Sequence, residues 1–513
     1  MTAEVIARSS LGSVATSDEP LVVALDAGTT GVRAIAFDRS GQVVESSYRE
    51  FPQYFPQPGW VEHDANEIWQ TARTVLGDLG GRLAHRPVTI GITDQRETAI
   101  VWSRSTGEPL HRALVWQDRR TASRCDELRD EGHLPLVRAA TGLVLDPYFS
   151  ASKLDWMFGQ GGVDARQDVA FGTVDSWLVY KLTGGAEHVT DVSNASRTLL
   201  FDIRTLAWSP ELCDLFGVPM HVLPEVRPSS GRFGVTTDDC ALGAGIPVSG
   251  IAGDQQAALF GQACFEPGMT KNTYGTGSFV LMNVGEACPE PVDGLLTTVA
   301  WTIADPSGVE TTNYAFEGAI FVTGAAVQWL RDGLGLIDEA SQIGPLAASI
   351  DDSEGVVFVP AFTGLGSPWW DPYARGTVVG ITRGAGRAHF ARAVVEAMAF
   401  QTRDVVDAMV RGSGRAIAAL RADGGASAMA LLLQLQADQL QVPVARPAVQ
   451  ETTALGAAYL AGLAEGVWDS TDDITSNWAL DIEVRPSADP DQANAAYEQW
   501  RRAVERSLAW AES

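Results

Sequence analysis

Short apolar runs separated by tight turns form the first clear pattern in the chain. Residues 21–25 are an apolar run that ends at Asp26, a small-residue turn follows at Gly28, and apolar and polar positions then alternate over 32–37. Residues 39–41 form a further turn, and another run begins at Val43. Short runs of this kind with turn residues between them predict a β-meander.

The same strand, Gly-Thr turn and strand pattern returns in the second half, where Thr276 lies between two glycines that an apolar run over 279–282 follows. A Walker loop or a dinucleotide fingerprint needs a helix after its glycines, so the strand that follows the first turn excludes both. Such turns can still present backbone N–H groups to a phosphate. We interpret the repeat as a duplicated domain whose two turns face each other across a cleft. Ordinary hairpin turns and a coincidental repeat are the alternatives.

Residues 246–253 predict a strand that runs directly into a helix beginning at Asp254. Helix capping alone would explain an aspartate at this position. A carboxylate at a strand end near the boundary between two domains is also well placed to accept a proton from a hydroxyl group, and the helix N-terminus favours its ionised form. We therefore predict Asp254 as a general base, with capping as the alternative.

A second polar cluster follows the predicted strand 88–93 and contains Arg96 and Glu97. Neighbouring side chains on a strand point to opposite faces, so both can contact one ligand only where the strand has ended or bent. A guanidinium beside a carboxylate matches a polyol, although a surface ion pair is the alternative. Trp116 and Tyr148 are candidate apolar walls for the carbon chain of such a ligand, or simply core residues.

Near the C-terminal end, a strand over 420–423 reaches a pair of glycines before a predicted helix over 429–440. Gly425 could admit a flat nucleoside against the backbone, or could belong to a tight turn between strand and helix.

Composition sets outer bounds on the function. A chain of 513 residues is expected to form two large domains. The net charge of −27 argues against nucleic acid and anionic membranes as partners. Five scattered cysteines, no apolar leader and no long apolar run favour a reduced, cytoplasmic protein without membrane insertion.

Several longer segments resemble the FGGY carbohydrate kinases, and within that family the branch that phosphorylates glycerol. The resemblance extends from about residue 21 to about residue 510. The segments are 58–64 (PGWVEHD), 142–144 (GLV), 146–150 (DPYFS), 190–191 (TD), 194–198 (NASRT), 250–261 (GIAGDQQAALFG) and 371–376 (DPYARG). Residues 148–156 and 376–400 also resemble the two general signatures of the family.

This resemblance implies an α/β fold of two ribonuclease-H-like domains, of the actin and hexokinase type, around an inter-domain cleft. We expect a flexible N-terminal tail over 1–19, a polyol-binding domain over 20–263 and a nucleoside-binding domain over 264–513. The implied reaction converts ATP and glycerol to ADP and sn-glycerol 3-phosphate. A homo-oligomer, either a dimer or a tetramer, is expected.

The resemblance also implies roles for single residues. Asp254 would be the catalytic base, and Asp26 would organise Mg²⁺. The polyol would contact Arg96, Glu97, Trp116, Tyr148, Asp254, Gln255 and Phe279. The phosphates of ATP would face Thr29, Thr30, Arg33 and Thr276, and its nucleoside would face Gly324, Gln328, Gly425 and position 429.

The chain departs from the usual family pattern at several positions. Ala27, Gly31 and Val32 replace a glutamine and two serines near the first turn, so one hydroxyl that would face phosphate is missing. Met429 stands where asparagine is expected, and Asp94 stands where asparagine is usual. The open alternatives are a family member acting on another polyol or a ketopentose, and a sensor that binds a polyol without phosphorylating it.

Overall fold

Two large mixed β-sheets with helices packed against them make up this computed structural model, which describes residues 19–165, 168–305 and 307–511. Of the tail predicted over 1–19, all but the last residue lies outside the described residues.

The strands in chain order are β1 (Val22–Ala27), β2 (Gly31–Phe37), β3 (Val43–Glu50), β4 (Glu62–His63), β5 (Thr89–Asp94), β6 (Ile100–Ser103), β7 (Ala113–Leu114), β8 (Val169–Gly172), β9 (Val189–Asp191), β10 (Phe201–Asp202), β11 (Ala207–Trp208), β12 (Glu225–Arg227), β13 (Ser230–Val235), β14 (Pro247–Gly253), β15 (Thr270–Tyr274), β16 (Ser278–Gly285), β17 (Leu296–Ala304), β18 (Glu310–Ile320), β19 (Val357–Val359), β20 (Thr377–Val379), β21 (Leu420–Asp423), β22 (Val444–Pro447) and β23 (Leu480–Val484).

The α-helices are α1 (Ala65–Gly80), α2 (Ala122–Asp130), α3 (Leu134–Thr141), α4 (Ser150–Phe158), α5 (Val174–Leu182), α6 (Val192–Ala195), α7 (Pro210–Leu215), α8 (Asp254–Gly261), α9 (Gly324–Gln328), α10 (Ile343–Ala347), α11 (Arg387–Ser413), α12 (Ala430–Leu440), α13 (Thr452–Ala464), α14 (Thr471–Asn477) and α15 (Pro490–Ser507). Shorter turns of 3₁₀ or π helix are Met220–Val222, Trp329–Gly333, Ala340–Gln342 and Gly425–Ala428.

The first sheet has the strand order β13-β14-β5-β1-β2-β3. Strands β1, β2 and β3 form the predicted antiparallel meander, and β5 and β14 join it in parallel on the other side of β1. Because β1, β5 and β14 are parallel neighbours, the residues at their carboxyl ends meet along one edge of the sheet. Such an edge is where open α/β sheets usually bind ligands.

The second sheet repeats this arrangement, in the order β17-β18-β16-β15-β21-β22-β23. Strand β15 is antiparallel to β16 and parallel to β21, and β21 is parallel to β22. The two Gly-Thr turns therefore occupy equivalent places, one between β1 and β2 and the other between β15 and β16. This equivalence agrees with the predicted duplication.

Two helices connect the halves through a close crossing. Helix α8 follows β14, and α13, which comes late in the chain, packs against both α8 and the first sheet in one apolar cluster. The crossing needs glycine, since a Cβ on Gly456 would collide with the Ala257 carbonyl and one on Gly261 with the Thr452 carbonyl. This contact fixes α8, and with it the position of Asp254 at its first turn.

In the part of the chain that the structure describes, the helices are all too short or too polar to cross a lipid bilayer.

Candidate functional site

Asp254 lies at the junction of the two halves, as the first residue of α8. It is not the N-cap that the alternative interpretation assumed, because Gly253 occupies that position. Its Oδ1 atom accepts a hydrogen bond from the backbone N–H of Gln255 at 2.8 Å and lies 3.1 Å from Nε of Arg96. With its side chain 32% exposed, the carboxylate is held by its neighbours and is still reachable by a ligand.

Arg96 and Glu97 come together because the strand ends before them. Strand β5 stops at Asp94, and Glu97 takes a left-handed backbone conformation with φ of 64°. Bending of this kind was the condition for both side chains to reach one place. A conformation that is costly for a residue with a side chain is often found at functional sites.

Arg96 belongs to a buried ionic network that joins both halves, which we call the paired cluster (Arg96, Glu97, Arg197 and Glu317). Nη2 of Arg96 donates to Oε1 of Glu317 at 3.1 Å, and Arg197 donates to Glu97 at 2.7 Å and to Glu317 at 2.9 Å. Burial alone would raise the pKa of Glu317, but Arg197 and Arg96 outweigh it and hold that pKa at about 2. Glu317 is therefore an anion that orients Arg96 toward Asp254.

The three aromatic residues predicted to contact the polyol lie near Arg96. The rings of Trp116 and Tyr148 meet edge to face with centroids 5.6 Å apart, and the guanidinium of Arg96 lies 5.8 Å from the ring of Phe279. Arg96 also donates to the Tyr148 hydroxyl at 3.4 Å. Aromatic faces beside charged groups that bind hydroxyls suit the carbon chain of a small polyol.

The first Gly-Thr turn lies close to these aromatic residues, since the indole N–H of Trp116 donates to the Thr29 hydroxyl at 3.0 Å. Thr30 is exposed beside it. Asp26 is the next-to-last residue of β1 and lies directly opposite Arg33 on β2. Burial raises the pKa of Asp26 to about 7 against the opposing charge of Arg33, and the carboxylates of Asp254 and Glu451 add to the rise.

Arg33 carries a partner that the sequence did not indicate. It forms an ion pair with Glu451, the residue just before α13, and its side chain remains 34% exposed. The carboxylate of Glu451 therefore offsets part of the charge of Arg33 next to the turn.

The second Gly-Thr turn borders the predicted nucleoside residues. The backbone N–H of Gly324, at the start of α9, donates to the Gly275 carbonyl at 3.0 Å, and the Thr276 carbonyl accepts from Ala325 at 3.0 Å. Thr276 itself is exposed. Gln328 lies four residues along α9 from Gly324, so it shares the same face of the helix.

Gly425 and Met429 reach the same region from the other side of β15. Gly424 packs against the backbone of Tyr274, which places the exposed Gly425 beside the second turn. Met429 caps α12, which begins one residue later than predicted, and its side chain packs near Gly344 within an apolar cluster. Position 429 therefore presents an apolar thioether, where the family pattern has the amide of an asparagine.

Three residues of the site were missed by sequence reasoning: Arg197, Glu317 and Lys271. Glu317 is a single carboxylate in the otherwise apolar run 314–320, and that was a usable signal. Lys271 is one of only three lysines among the 37 basic residues, and all three are buried or half-buried. Its ammonium group donates to Oε1 of Gln255 at 2.6 Å.

The arrangement suits proton abstraction from an alcohol and attack on a phosphoryl group. It combines a reachable carboxylate, charged and polar groups beside aromatic rings, and a glycine turn from each half. Within the described ranges no group of three His, Cys, Asp or Glu side chains could hold a metal ion, and Asp26 contributes a single carboxylate. Mg²⁺ is commonly held by one or two carboxylates together with substrate phosphates, and Asp26 fits that pattern.

Comparison with known proteins agrees with this geometry. Residues 21–261 match the model of the N-terminal domain of the FGGY family of carbohydrate kinases, and residues 270–465 match its C-terminal domain. A glycerol kinase from Dechloromonas aromatica is 55% identical over 501 residues, covering 96% of this chain and 98% of the relative. Glycerol kinase 2 from Thermotoga maritima is 52% identical over 496 residues, covering 95% and 99%.

Among solved structures, Plasmodium falciparum glycerol kinase with ADP superposes with a TM-score of 0.89 at 34% identity, covering 96% of this chain and 98% of the other. The two ribonuclease-H-like halves around a reachable carboxylate define a phosphotransferase of the actin and hexokinase type, which confirms the predicted fold class. The chain belongs to the FGGY family of carbohydrate kinases.

Proposed function

We propose that the chain is a glycerol kinase, which transfers the γ-phosphoryl group of ATP to glycerol and releases ADP and sn-glycerol 3-phosphate. The observation that carries the proposal is the position of Asp254, reachable at the junction of the halves and 3.1 Å from Arg96. The glycerol kinases at 52–55% identity support glycerol as the acceptor. The ADP in the Plasmodium structure supports ATP as the donor.

In this proposal the acceptor lies against Trp116 and Phe279 with its hydroxyls on the charged groups. Arg96 and the Tyr148 hydroxyl supply hydrogen-bond donors, and Glu97 and Gln255 supply acceptors. Arg96 already contacts both the Asp254 carboxylate and the Tyr148 hydroxyl, so a bound hydroxyl group would enter an arranged set of partners. Such preorganisation reduces the entropy lost on binding.

The oxygen of the terminal hydroxyl of glycerol would attack the γ-phosphorus, and Asp254 would accept the proton of that hydroxyl as ADP leaves. A phosphoryl transition state of the loose type needs positioning and late proton removal more than a strong base, so an ordinary carboxylate suffices. Closure of the two halves would exclude water, which otherwise competes as the acceptor.

The two Gly-Thr turns would hold the phosphates of ATP, through Thr29, Thr30 and Arg33 on one side and Thr276 on the other. The nucleoside would lie along Gly324, Gln328, Gly425 and Met429. Asp26 would hold Mg²⁺, which neutralises charge on the phosphates when bound. The partly desolvated carboxylate, whose pKa burial raises to about 7, is a group that a cation would stabilise in its ionised form.

The same proposal extends to the whole protein. We propose the domain division at residue 263, a cytoplasmic location and a dimer or tetramer. All five cysteines are free, which fits a reducing compartment. Light scattering after size-exclusion chromatography tests the oligomeric state directly.

An assay of glycerol-dependent ADP release tests the reaction. Asp254→Asn should lower kcat by about 10²–10⁴-fold, because the amide cannot accept the proton. Glycerol should still bind, as measured by calorimetry. The matched control is Asp332→Asn, whose side chain is 64% exposed and should keep full activity. Full activity of Asp254→Asn would refute the assignment of the base.

A substrate panel separates glycerol from the alternatives. Faster turnover of another polyol or of a ketopentose would point to a different member of the family. Thermal stabilisation by glycerol without any ADP release would instead indicate a sensor.

Met429→Asn tests the nucleoside position. Restoring one hydrogen bond is worth about 0.5–1.5 kcal/mol, so the KM for ATP should fall by about two- to tenfold while the KM for glycerol stays the same. An unchanged or higher KM for ATP would remove Met429 from the nucleoside site.

A further inference from the structure

Lys271 is a buried lysine whose hydrogen-bonding capacity is fully used. It lies on β15 with none of its surface exposed. Its ammonium donates to Oε1 of Gln255 at 2.6 Å, to the Thr273 hydroxyl at 2.9 Å and to the Phe279 carbonyl at 3.4 Å. Because an ammonium has three donors, none is left over for a phosphate in this arrangement.

Gln255 connects Lys271 to Asp254, and only one orientation of its amide satisfies both. The ammonium can only donate and the carboxylate can only accept, so Oε1 must face Lys271 and Nε2 must face Asp254. The structure has this orientation, with Nε2 of Gln255 donating to Oδ2 of Asp254 at 3.1 Å. Arg96 holds the other oxygen, Oδ1, at 3.1 Å.

The charges around Lys271 support this contact. Burial lowers the pKa of Lys271 to about 8, and the negative charges of Asp423 and Asp254 limit the fall, whereas Arg96 adds to it. The ammonium is therefore still largely charged at neutral pH, and it is held in the core by the acceptors named above.

We propose that Lys271 is a positioning residue for Asp254, and that it acts through Gln255. Lys271 lies on the second sheet, whereas Asp254 and Gln255 follow a strand of the first. Asp254 is therefore fully oriented only when the two halves are packed against each other as in this structure. The role assigned to Asp254 rests on the proposed function.

Lys271→Met keeps the volume of the side chain and removes its donors. The turnover number should fall by about tenfold to a hundredfold, since small errors in the placement of a catalytic group have effects of this size. The KM for ATP should stay within about twofold, because Lys271 does not contact the phosphates in the proposal. An unchanged kcat, or a rise confined to the KM for ATP, would overturn the inference.

A double-mutant cycle tests whether the effect passes through Gln255. In the Gln255→Leu background, Lys271→Met should cost no more than about a further twofold in kcat, because the connection is already broken. Effects that multiply would show that Lys271 acts independently of Gln255.

Gln255→Glu is a second variant, which keeps the bond to Lys271 but places a carboxylate against Asp254. It should lower kcat as Lys271→Met does, and full activity would contradict the proposal.

The matched control is Lys181→Met. Lys181 is half-buried, donates to the Gly107 carbonyl at 3.2 Å and lies 4.6 Å from the ring of Trp177, away from the site. Its replacement should leave kcat unchanged. The kinetic ratios are measured on whichever acceptor the substrate panel identifies, so a different acceptor would change the proposed function without removing this test.

A measurement without turnover separates the two proposals completely. The chain has only three lysines, so protein labelled with ¹⁵N at lysine Nζ should give three Nζ signals, one for each lysine. The Lys271 signal should exchange slowly with water because its hydrogens are bonded, and Gln255→Leu should shift that signal and leave the others in place. If Gln255→Leu shifts none of the lysine signals, the contact does not exist and the inference fails, whatever the enzyme phosphorylates.

Discussion

Two buried charged clusters lie next to each other at the candidate site, and they are built in opposite ways. The paired cluster contains two arginines and two glutamates. The acidic cluster, which we define as Asp94, Asp175 and Asp191, consists of three carboxylates with none of their surface exposed. Across the described part of the chain, no ion pair joins these three aspartates to a cation. Asp94 is only two residues from Arg96, so a paired charge and an unpaired carboxyl group are buried at neighbouring positions of the chain.

The pKa values of the carboxyl groups follow the number of arginines that donate hydrogen bonds to them. Glu317 contacts both arginines, and its pKa is lowered to about 2. Glu97 accepts a hydrogen bond from Arg197 at 2.7 Å and lies 3.9 Å from Arg96, and burial still raises its pKa against both arginines. Asp94 has no cation, and burial together with the charge of Asp175 raises its pKa well above the ordinary value. Burial thus raises the pKa of the other carboxyl groups here, and the effect is reversed only at Glu317, to which both arginines donate hydrogen bonds.

Hydrogen bonds replace cations in the acidic cluster, and they are unevenly shared. Asp191 accepts five of them, from Ser193, Asn194 and Ser229, at 2.8–3.1 Å. Asp94 accepts only two, at 3.0 and 3.3 Å, and these are longer than the two that Asp175 accepts from the hydroxyls of Thr173 and Thr190. Asp94 is therefore the least supported charge of the cluster, and it stands where the family pattern usually has an uncharged asparagine.

The largest effect should come from breaking the paired cluster. Glu317→Gln leaves the two buried arginines with one buried carboxylate, Glu97, and the partly exposed Asp254. Removing one partner of a buried ion pair costs about 3–5 kcal/mol of unfolding free energy. Urea unfolding measures the loss. A loss below about 1 kcal/mol would mean that the cluster does not depend on paired charge.

Asp191→Asn should have the next largest effect. The amide NH₂ would face groups that now donate to the carboxylate, and buried donors left without acceptors cost about 1–3 kcal/mol each. The same unfolding experiment measures the change. Unaltered stability would show that the five hydrogen bonds add little.

Asp94→Asn should act in the opposite direction and stabilise the protein. A carboxyl group with a raised pKa in the folded state contributes stability that is present at low pH and is lost as the pH rises above its unfolded pKa. Removing the group should therefore raise the free energy of unfolding at pH 7 and have almost no effect near pH 4. Unfolding midpoints of both proteins across this range provide the check. A gain that is the same at every pH would refute the raised pKa.

The smallest effect is expected at an ion pair on the surface, where neither charge is buried. Glu498 pairs with Arg501 at 3.4 Å on the surface of α15, with its side chain 64% exposed. Glu498→Gln should change stability by no more than about 0.5 kcal/mol, because water already solvates both charges. A cost near that of Glu317→Gln would mean that burial is not what separates the two sites.

Local sequence patterns predicted the secondary structure around the site well. The meander, the second hairpin and the strand that leads into α8 are all present. Arg96 and Glu97 do meet at one place, because the strand ends where polar residues begin. The helix after the glycines starts one residue later than expected, and Asp254 is not a cap, since the exact end of a helix depends on its neighbours as well as on its own residues.

By itself, the sequence determined the two glycine turns, the carboxylate at the end of β14 and the family to which the chain belongs. These features depend on residues that are close together along the chain, so their periodicity and spacing are visible in it. The tertiary structure alone decided which charges are paired. Arg96 and Glu317 are 221 residues apart, and Lys271 reaches Gln255 from the other sheet. Whether a buried charge has a partner depends on how the two sheets pack against each other. The spacing of residues along the chain does not show that packing.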